Sequence, residues 1–422
     1  MHEITNINGA TFIFSPFNDV ETASLGVFLK VGSRFEKASL RGISHFLEHM
    51  VFKGSKHYSY KAIKQEIEGR GGALNGFTSQ ESTAYYAHFL NKNLHLTLDI
   101  LLDMVFYPSL LESDIKKERN VILEEIKMYN DLPSSRAASI IDKLLWPENS
   151  LGEEIIGSVS TVTKTQKQDL VAFKNNYYEP GNIIISCSGY ADKELVKGLL
   201  KDKIVKVSKP VNLKYIAPDI LRGVHVKIEN KKLEQSHLCM GFRSISYLSS
   251  RRFIVEVLNV ILGGNMSSRL FEEVREKKAL CYEISTDVRK YRDSGGFVIH
   301  AGLDKTKIPV AVASILKELE KIKEKKVSDN ELTRAKDYIL GQITMALERP
   351  QGRMFYLAES FLSLGKIYSL AEVKKEIEKI SPDDVRSLAQ EIFAFKNLCV
   401  SCVGDIEDKM GKIIKEKIGV VN

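Results

Sequence analysis

The chain has 422 residues, which is too many for one compact core and fits two domains of about 200 residues each. Hydrophobic residues make up 44% and charged residues 27%, which is the composition of an ordinary globular protein rather than a disordered one. The net charge of +7 is spread in lysines that often adjoin glutamates, so we interpret it as solvated helix faces and expect no nucleic-acid partner.

The N-terminal segment opens directly on a predicted hairpin. Residues 4–17 predict a strand, a turn at Asn8-Gly9 and a second strand, with no basic segment followed by an apolar one. No apolar run reaches the length of about 18 residues that a membrane-spanning helix needs. We therefore expect a soluble cytoplasmic protein without a cleavable signal and without a membrane partner.

Strands and long amphipathic helices then alternate along the chain. Periodicity predicts strands at 24–31, 82–89 and 182–188 and helices at 60–69, 93–106 and 113–130. Later strands are predicted at 237–242, 295–301 and 398–403. This alternation predicts the α+β class, with domains that are α/β sandwiches of a mostly antiparallel sheet and helices on one face.

An internal repeat divides the chain. Residues 46–54 match 256–264, residues 122–128 match 339–345, and residues 186–189 match 401–404, always in the same order. Three ordered matches indicate a tandem duplication, and two copies are too few for a solenoid. We predict a first domain at 1–207, a linker at 208–222 and a homologous second domain at 223–422.

The five cysteines are few, widely spaced and odd in number, which fits a reducing compartment better than a disulfide framework. Cys399 and Cys402 form a C-x-x-C pattern, but it lies in the strand predicted at 398–403. Residues three apart on a strand point to opposite faces, so we expect neither a redox role nor a metal role for this pair.

The residues with the strongest chemical signal are His45, Glu48 and His49. The two histidines are four apart, so on a helix they lie one turn apart on one face, and Glu48 lies beside them. Two such imidazoles are ready zinc ligands, and an adjacent carboxylate is a general base for a water molecule. This H-x-x-E-H order is the inverse of the commoner H-E-x-x-H. The alternative is a pair of structural histidines, since chance produces such a pentapeptide in roughly one chain in a hundred of this length.

A third ligand is expected from the helix predicted at 113–130, for which Ser113 is a suitable N-cap. Glu118 and Glu125 are seven residues apart and share a face, whereas Glu124 points elsewhere. One of the pair can complete a His₂Glu set while the other orients a histidine. The alternative for any such pair is a solvated acidic face.

The repeat decides between these alternatives. The second copy has Val255, Leu258 and Asn259 at the motif positions and Gln342 at the position of Glu125. The apolar pattern around them persists, so the chemistry-bearing residues are lost as a set. We therefore predict one metal site, which makes 1–207 a catalytic zinc-binding domain and 223–422 a homologous domain without metal.

The chain resembles the pitrilysin family of zinc peptidases, in the branch of the mitochondrial processing peptidase and its bacterial relatives. The resemblance covers nearly the whole chain and rests on GSR at 32–34, HFLEHMVFKG at 45–54, GGALNGFTS at 71–79, ERNVILEE at 118–125, YEPGN at 178–182 and SRLFEEVR at 268–275. It implies one Zn²⁺ per chain held by His45, His49 and Glu125, with Glu48 as base and Glu118 as a further glutamate near the site.

The segment 72–86 alternates and by itself predicts an edge strand, which can pair with an extended peptide through its backbone. The resemblance implies that Leu74, Asn75, Gly76 and Phe77 hold substrate in this way. It also implies that Phe52 lines the pocket beyond the scissile bond, although a core aromatic is an equally good interpretation of Phe52.

The resemblance further implies that Arg275 and Tyr282 act in catalysis, with the tyrosine hydroxyl stabilising the oxyanion and the arginine holding the substrate backbone. In the family these two residues come from a facing half of the assembly. Because this chain carries both half-sites, we hypothesise a homodimer with the pair acting in trans, and a heterodimer with a related subunit is the alternative.

The predicted function is that of a zinc metalloendopeptidase hydrolysing unfolded peptides or presequence-like segments inside a chamber between facing halves. One alternative is a catalytically inactive scaffold subunit of the same family, which usually lacks the motif or the distal glutamate. Another is an inert zinc module, which normally uses four protein ligands rather than three.

Overall fold

The computed structural model describes residues 2–204, 211–406, 412, 413, 415–417 and 419. They form two compact units. The first unit comprises Met1–Lys127, Glu154–Tyr215 and Thr344–Ile367, and the second comprises Met128–Glu153, Ile216–Ile343 and Tyr368–Asn422.

The strands, in chain order, are β1 (Glu3–Ile7), β2 (Ala10–Pro16), β3 (Thr22–Leu29), β4 (Ala73–Thr78), β5 (Thr83–Leu90), β6 (Ile183–Gly189), β7 (His225–Asn230), β8 (Ser236–Ser244), β9 (Cys281–Lys290), β10 (Gly295–Leu303) and β11 (Cys399–Gly404). The helices are α1 (Ile43–Val51), α2 (Tyr60–Ile67), α3 (Leu94–Phe106), α4 (Glu112–Asp131), α5 (Pro133–Leu145), α6 (Val159–Lys164), α7 (Lys167–Tyr177), α8 (Lys193–Lys203), α9 (Arg252–Leu262), α10 (Ile308–Glu324), α11 (Asp329–Leu347), α12 (Pro350–Leu364), α13 (Leu370–Glu378) and α14 (Pro382–Ile392). The predicted elements are confirmed with boundaries shifted by a few residues.

The N-terminal hairpin is confirmed, and its turn has a clear local cause. Asn8 and Gly9 both have positive φ, 49° and 100°, which suits the two-residue turn that joins β1 to β2. By contrast, the predicted N-cap of α4 was wrong. The helix begins at Glu112, so Ser113 lies inside its first turn.

The first sheet has the order β1-β2-β6-β3-β5-β4 and the second has the order β7-β11-β8-β10-β9. In each sheet one pair is parallel, β2 with β6 and β7 with β11, while the other pairs are antiparallel. Apart from β1, the two sheets match strand for strand. This match supports the duplication and places β4 and β9 at equivalent edges.

Most helices of the first unit cover one face of its sheet, where residues of α1, α3 and α4 form a core with β3 and β5. The expectation of helices on one face alone was wrong, because α12 packs on the opposite face with Met354 and Leu357 against Phe28 and Ile184. The Ser186 hydroxyl donates to the Met354 carbonyl at 3.0 Å and fixes this helix.

The second unit repeats the arrangement. Helices α9, α10 and α14 cover one face of its sheet, and α5 covers the other with Ile141, joined by Trp146 directly after the helix. The Ser401 hydroxyl donates to the Ala137 carbonyl at 2.7 Å. Helix α5 belongs to the second unit but lies within the first half of the sequence, and α12 belongs to the first unit but lies within the second half. The units are therefore not two continuous halves of the chain.

The predicted linker at 208–222 begins outside the described residues, since 208–210 are not among them. Its remainder, 211–222, contains no helix or strand. The boundaries at 207 and 223 concern the sequence repeat and stay a prediction.

Two further sequence expectations bear on the described residues. Cys399 lies in the core beneath α5 and Cys402 in the core on the other side of the sheet, which confirms that the C-x-x-C pair faces opposite ways. Within the described ranges, no helix has both the length and the apolar character needed to cross a bilayer.

Candidate metal centre

Helix α1 carries the histidine motif and is fixed by its buried face and by an unusual start. Phe46, Leu47 and Met50 are fully buried. The residue before the helix is Gly42, which has a φ of 93° and packs so closely on Ile156 that a Cβ would collide with its carbonyl. Only glycine suits this position.

The N-terminus of α1 is capped by a residue that the sequence analysis missed. The Glu36 carboxylate accepts hydrogen bonds from the backbone N–H of Gly42 at 2.8 Å and of Ser44 at 2.7 Å. A carboxylate at this end of a helix satisfies N–H groups that have no intrahelical partner. No local capping pattern marks Glu36, because it lies six residues before Gly42.

Glu36 gives a testable pH dependence. Burial raises the pKa of Glu36 to about 7 against the opposing effect of the two N–H donors. An unfolded glutamate ionises near pH 4.3, so the contribution of this group to stability falls as the pH rises from there to about 7. Glu36→Gln cannot ionise and loses one acceptor, so its free energy of unfolding should be lower than that of wild type at about pH 5. This difference should shrink by up to about 3 kcal/mol towards pH 8, because only wild type loses the contribution of Glu36 over this range. Urea unfolding of both proteins across this range measures the difference, and parallel profiles would contradict the assignment.

The three predicted metal ligands lie together. His45 Nε2 is 3.8 Å and His49 Nε2 is 3.6 Å from the same carboxylate oxygen, Oε2 of Glu125. The imidazole centroids are 4.5 Å apart. The ligand atoms of all three residues lie within 4.8 Å of one another.

These residues fit a zinc ion. The two nitrogen–oxygen distances are too long for hydrogen bonds. Tetrahedral zinc with ligands at about 2.1 Å separates them from one another by about 3.4 Å, so only a small contraction is needed. Burial, followed by the proximity of His49, lowers the pKa of His45 to about 3, which keeps its imidazole neutral and able to donate a lone pair.

Glu118 lies behind His49 and not among the ligands. One of its carboxylate oxygens is 2.9 Å from His49 Nδ1, and the other is 2.6 Å from Lys53 Nζ. Burial opposes ionisation, but these two partners lower the pKa of Glu118. An ionised Glu118 accepts a hydrogen bond from the Nδ1–H of His49, which leaves Nε2 with its lone pair toward the metal position.

Glu48 lies on the buried side of the motif, with 9% of its surface exposed. Its Oε2 accepts a hydrogen bond from the Thr78 hydroxyl at 2.8 Å. Burial raises the pKa of Glu48, which brings it closer to the range where a carboxylate both takes and returns a proton. Thr78, at the end of β4, was not singled out from the sequence, because only the folded sheet brings it beside Glu48.

The segment 72–86 is a hairpin, and its first strand, β4, is the outer strand of the sheet. Leu74 is buried in the main core and Phe77 packs on Tyr86 and Phe355, so these side chains are used inside the unit. What β4 offers to a peptide is its backbone edge and the exposed Asn75.

Phe52 is half-buried beneath this strand. Its ring lies 5.9 Å from that of Tyr85, and a Cβ at Gly76 would be 3.0 Å from it. Phe52 therefore packs on the core from one side and supports β4 at Gly76.

Arg275 and Tyr282 lie in the second unit and contact each other directly. Arg275 is in a π-helical turn, Phe271–Lys277, and its Nε donates to the Tyr282 carbonyl at 2.8 Å. Tyr282 is 42% exposed. Its strand changes register between Gly302 and Leu303 of the neighbouring strand, which is a β-bulge, and bulges redirect side chains.

The counterpart of the metal centre in the second unit is a cavity of about 450 Å³ without histidine. Val255, Asn259 and Gln342 line it together, as the repeat predicts, while Leu258 lies in the core. The fold around the site is retained in the second unit, and the ligands are replaced.

The two units share one topology, and one of them holds two histidines a turn apart and a glutamate from a neighbouring helix. This combination defines a class of protein built around an inverted zinc-peptidase motif.

Comparison with known proteins agrees with this class. The family model described as insulinase, peptidase family M16, matches residues 13–159, and the model of the peptidase M16 inactive domain matches residues 164–339. A protein of Bacillus subtilis described as an uncharacterized zinc protease is 33% identical over 92% of this chain and 94% of its own length. One of Rickettsia felis with the same description is 31% identical over 92% and 93%. The chain belongs to peptidase family M16, and the resemblance to the pitrilysin family is confirmed.

Solved structures share the fold. A protease from Helicobacter pylori superposes with a TM-score of 0.90 at 21% identity, covering 96% of this chain and 99% of that one. A peptidase M16 inactive domain from Pseudomonas fluorescens gives a TM-score of 0.87 at 17% identity, covering 96% and 98%.

Proposed function

We propose that the protein is a zinc-dependent endopeptidase with one catalytic zinc ion per chain. The observation that carries the proposal is the convergence of His45, His49 and Glu125 around one position, with a buried Glu48 on the same helix. Three protein ligands leave a coordination position open, as in catalytic rather than structural zinc sites.

The roles of the residues follow from their surroundings. Zinc bound to His45, His49 and Glu125 would supply a Lewis acid for the scissile carbonyl. Glu48 takes a proton from the attacking water and returns it to the leaving amine. The Thr78 hydroxyl holds the Glu48 carboxylate in place, and Glu118 holds the imidazole of His49.

The substrate that suits this site is an unfolded peptide. Pairing with the open edge of β4 would bind a peptide through its backbone with little dependence on its sequence. A chamber between facing halves would exclude folded proteins by size, and presequence-like peptides are a substrate class suggested by the family alone.

A peptide library tests the function. The zinc-loaded protein, the chelator-treated protein and the Glu48→Gln variant are each incubated with an unstructured peptide mixture, and the products are sequenced by mass spectrometry. We expect internal cleavage by the zinc-loaded protein only. Zinc binding without cleavage would favour the inactive scaffold instead.

We further propose a homodimer in which Arg275 and Tyr282 of one chain complete the zinc site of another, since this chain carries both half-sites. Mixing an Arg275→Ala variant with a Glu48→Gln variant should restore up to about a quarter of wild-type activity if subunits exchange at random. Half of the dimers are then mixed, and each mixed dimer has one intact site, in which Glu48 comes from the Arg275→Ala chain and Arg275 from the Glu48→Gln chain. No recovery over either variant alone, in mixtures shown by mass to contain mixed dimers, would contradict the trans arrangement.

A further inference from the structure

A second cluster of metal-ligand side chains lies in the second unit. It consists of His237 on β8, Glu283 on β9 and His300 on β10. In the register of the sheet, His237 and Glu283 both pair with Gly302, from its two sides. Since His300 is two residues from Gly302 on the same strand, all three side chains lie on one face.

The distances within this cluster are close to those of the first site. His237 Nδ1 is 3.3 Å from His300 Nε2. Oε1 of Glu283 is 3.9 Å from His237 Nδ1 and 3.8 Å from His300 Nδ1. These distances involve both ring nitrogens of His300, of which one ion takes only one, and one ligand atom from each residue lies within 4.8 Å of the other two. Ligands of one tetrahedral ion are separated by about 3.4 Å, so the side chains must rotate to bring a single nitrogen of His300 to the ion.

The surroundings favour neutral imidazoles and leave the cluster accessible. Gly302 lies between His237 and Glu283 in the sheet, and the Tyr282 hydroxyl and the Glu283 carboxylate occupy the space that a Cβ of residue 302 would fill. Burial lowers the pKa of both His237 and His300, against the opposing effect of Glu283. The Glu283 side chain is half exposed, which gives an ion a path from solvent.

We propose that His237, Glu283 and His300 bind a second divalent transition-metal ion, independently of the site formed by His45, His49 and Glu125. Two imidazoles and one carboxylate suit Zn²⁺, Ni²⁺ or Cu²⁺ rather than Mg²⁺ or Ca²⁺. The bound ion lies next to the bulge that carries Tyr282. The competing explanation is a hydrogen bond between the two imidazoles without any metal.

Metal counting on the full-length, untagged protein tests this proposal. Four proteins are compared: wild type, His237→Ala/His300→Ala, His45→Ala/His49→Ala and the control His225→Ala. His225 lies on β7 of the same sheet and is outside the cluster, with its ring against the Arg222 carbonyl. Each apoprotein is equilibrated with Zn²⁺ and analysed by mass spectrometry, and parallel Co²⁺ samples are followed by their visible absorption.

We expect about two ions per chain for wild type and for His225→Ala, and about one ion for each double variant. The two double variants should also lose different parts of the Co²⁺ spectrum. The proposal is overturned if His237→Ala/His300→Ala binds as much metal as wild type, or if His45→Ala/His49→Ala binds none while circular dichroism shows it folded. His237→Ala/His300→Ala keeps only the proposed catalytic site, and His45→Ala/His49→Ala keeps only the second site. Metal bound to each variant therefore shows separately whether each site exists.

Discussion

Glu48→Gln should lower the kcat of peptide cleavage by about 10²- to 10⁴-fold while the protein still binds its catalytic zinc. The substitution keeps the shape of the side chain, and its amide oxygen can still accept the hydrogen bond from the Thr78 hydroxyl. It removes the negative charge of the carboxylate and, with it, the ability to take a proton from water. Steady-state cleavage of a fluorogenic peptide, with zinc content measured on the same samples, gives both quantities.

The control for this variant is Glu66→Gln, which changes a carboxylate on α2 that pairs with Arg70. We expect wild-type kinetics from it. A Glu48→Gln protein that cleaves at the wild-type rate would place the general base elsewhere. Loss of zinc from Glu48→Gln would instead mean that Glu48 holds the metal position together.

The sequence predicted those parts of the site that depend on one helix at a time. His45 and His49 are four residues apart and Glu118 and Glu125 are seven apart, so helical periodicity alone places each pair on one face. The repeat then linked the two helices, because the positions of His45, His49 and Glu125 change together in the second copy. Each step uses spacing along the chain, which the sequence gives directly.

The parts that were missed depend on contacts between segments that are distant in sequence. Glu36 caps α1 across a loop, and Thr78 reaches Glu48 from a strand. The cluster of His237, Glu283 and His300 depends on the register of three strands, and a shift of one residue would turn one side chain to the other face. No spacing rule along the chain reports such contacts.

The placement of α5 and α12 was missed for a related reason. Both helices are amphipathic, and either sheet offers an apolar face that they can cover. Their sequences show that they must bury one side, but not against which sheet. Specific contacts decide this, such as those of Ser186 with Met354 and of Ser401 with Ala137. The expectation of helices on one face alone, which came from the alternation, was therefore wrong.

Glu118→Gln should weaken zinc binding by about 10- to 100-fold. The substitution keeps the size of the side chain, and the new amide oxygen can accept one hydrogen bond from His49. It removes the negative charge that favours the Nδ1–H tautomer of His49 and increases the basicity of Nε2. It also removes the ion pair with Lys53, whose Nζ lies 2.6 Å from a Glu118 oxygen in the wild-type protein. Competition with a chromophoric chelator measures the zinc dissociation constant.

The matched control is Glu124→Gln on the same helix, because Glu124 is exposed and its carboxylate pairs with Lys127 rather than with a histidine. This variant removes the same charge within one turn of Glu125 but touches neither histidine, so its zinc affinity should stay within about twofold of wild type. If both variants weaken zinc binding equally, the effect of Glu118 is a general loss of negative charge near the site. A large effect confined to Glu118→Gln would support the direct orientation of His49, because only that carboxylate contacts the Nδ1 of a ligand.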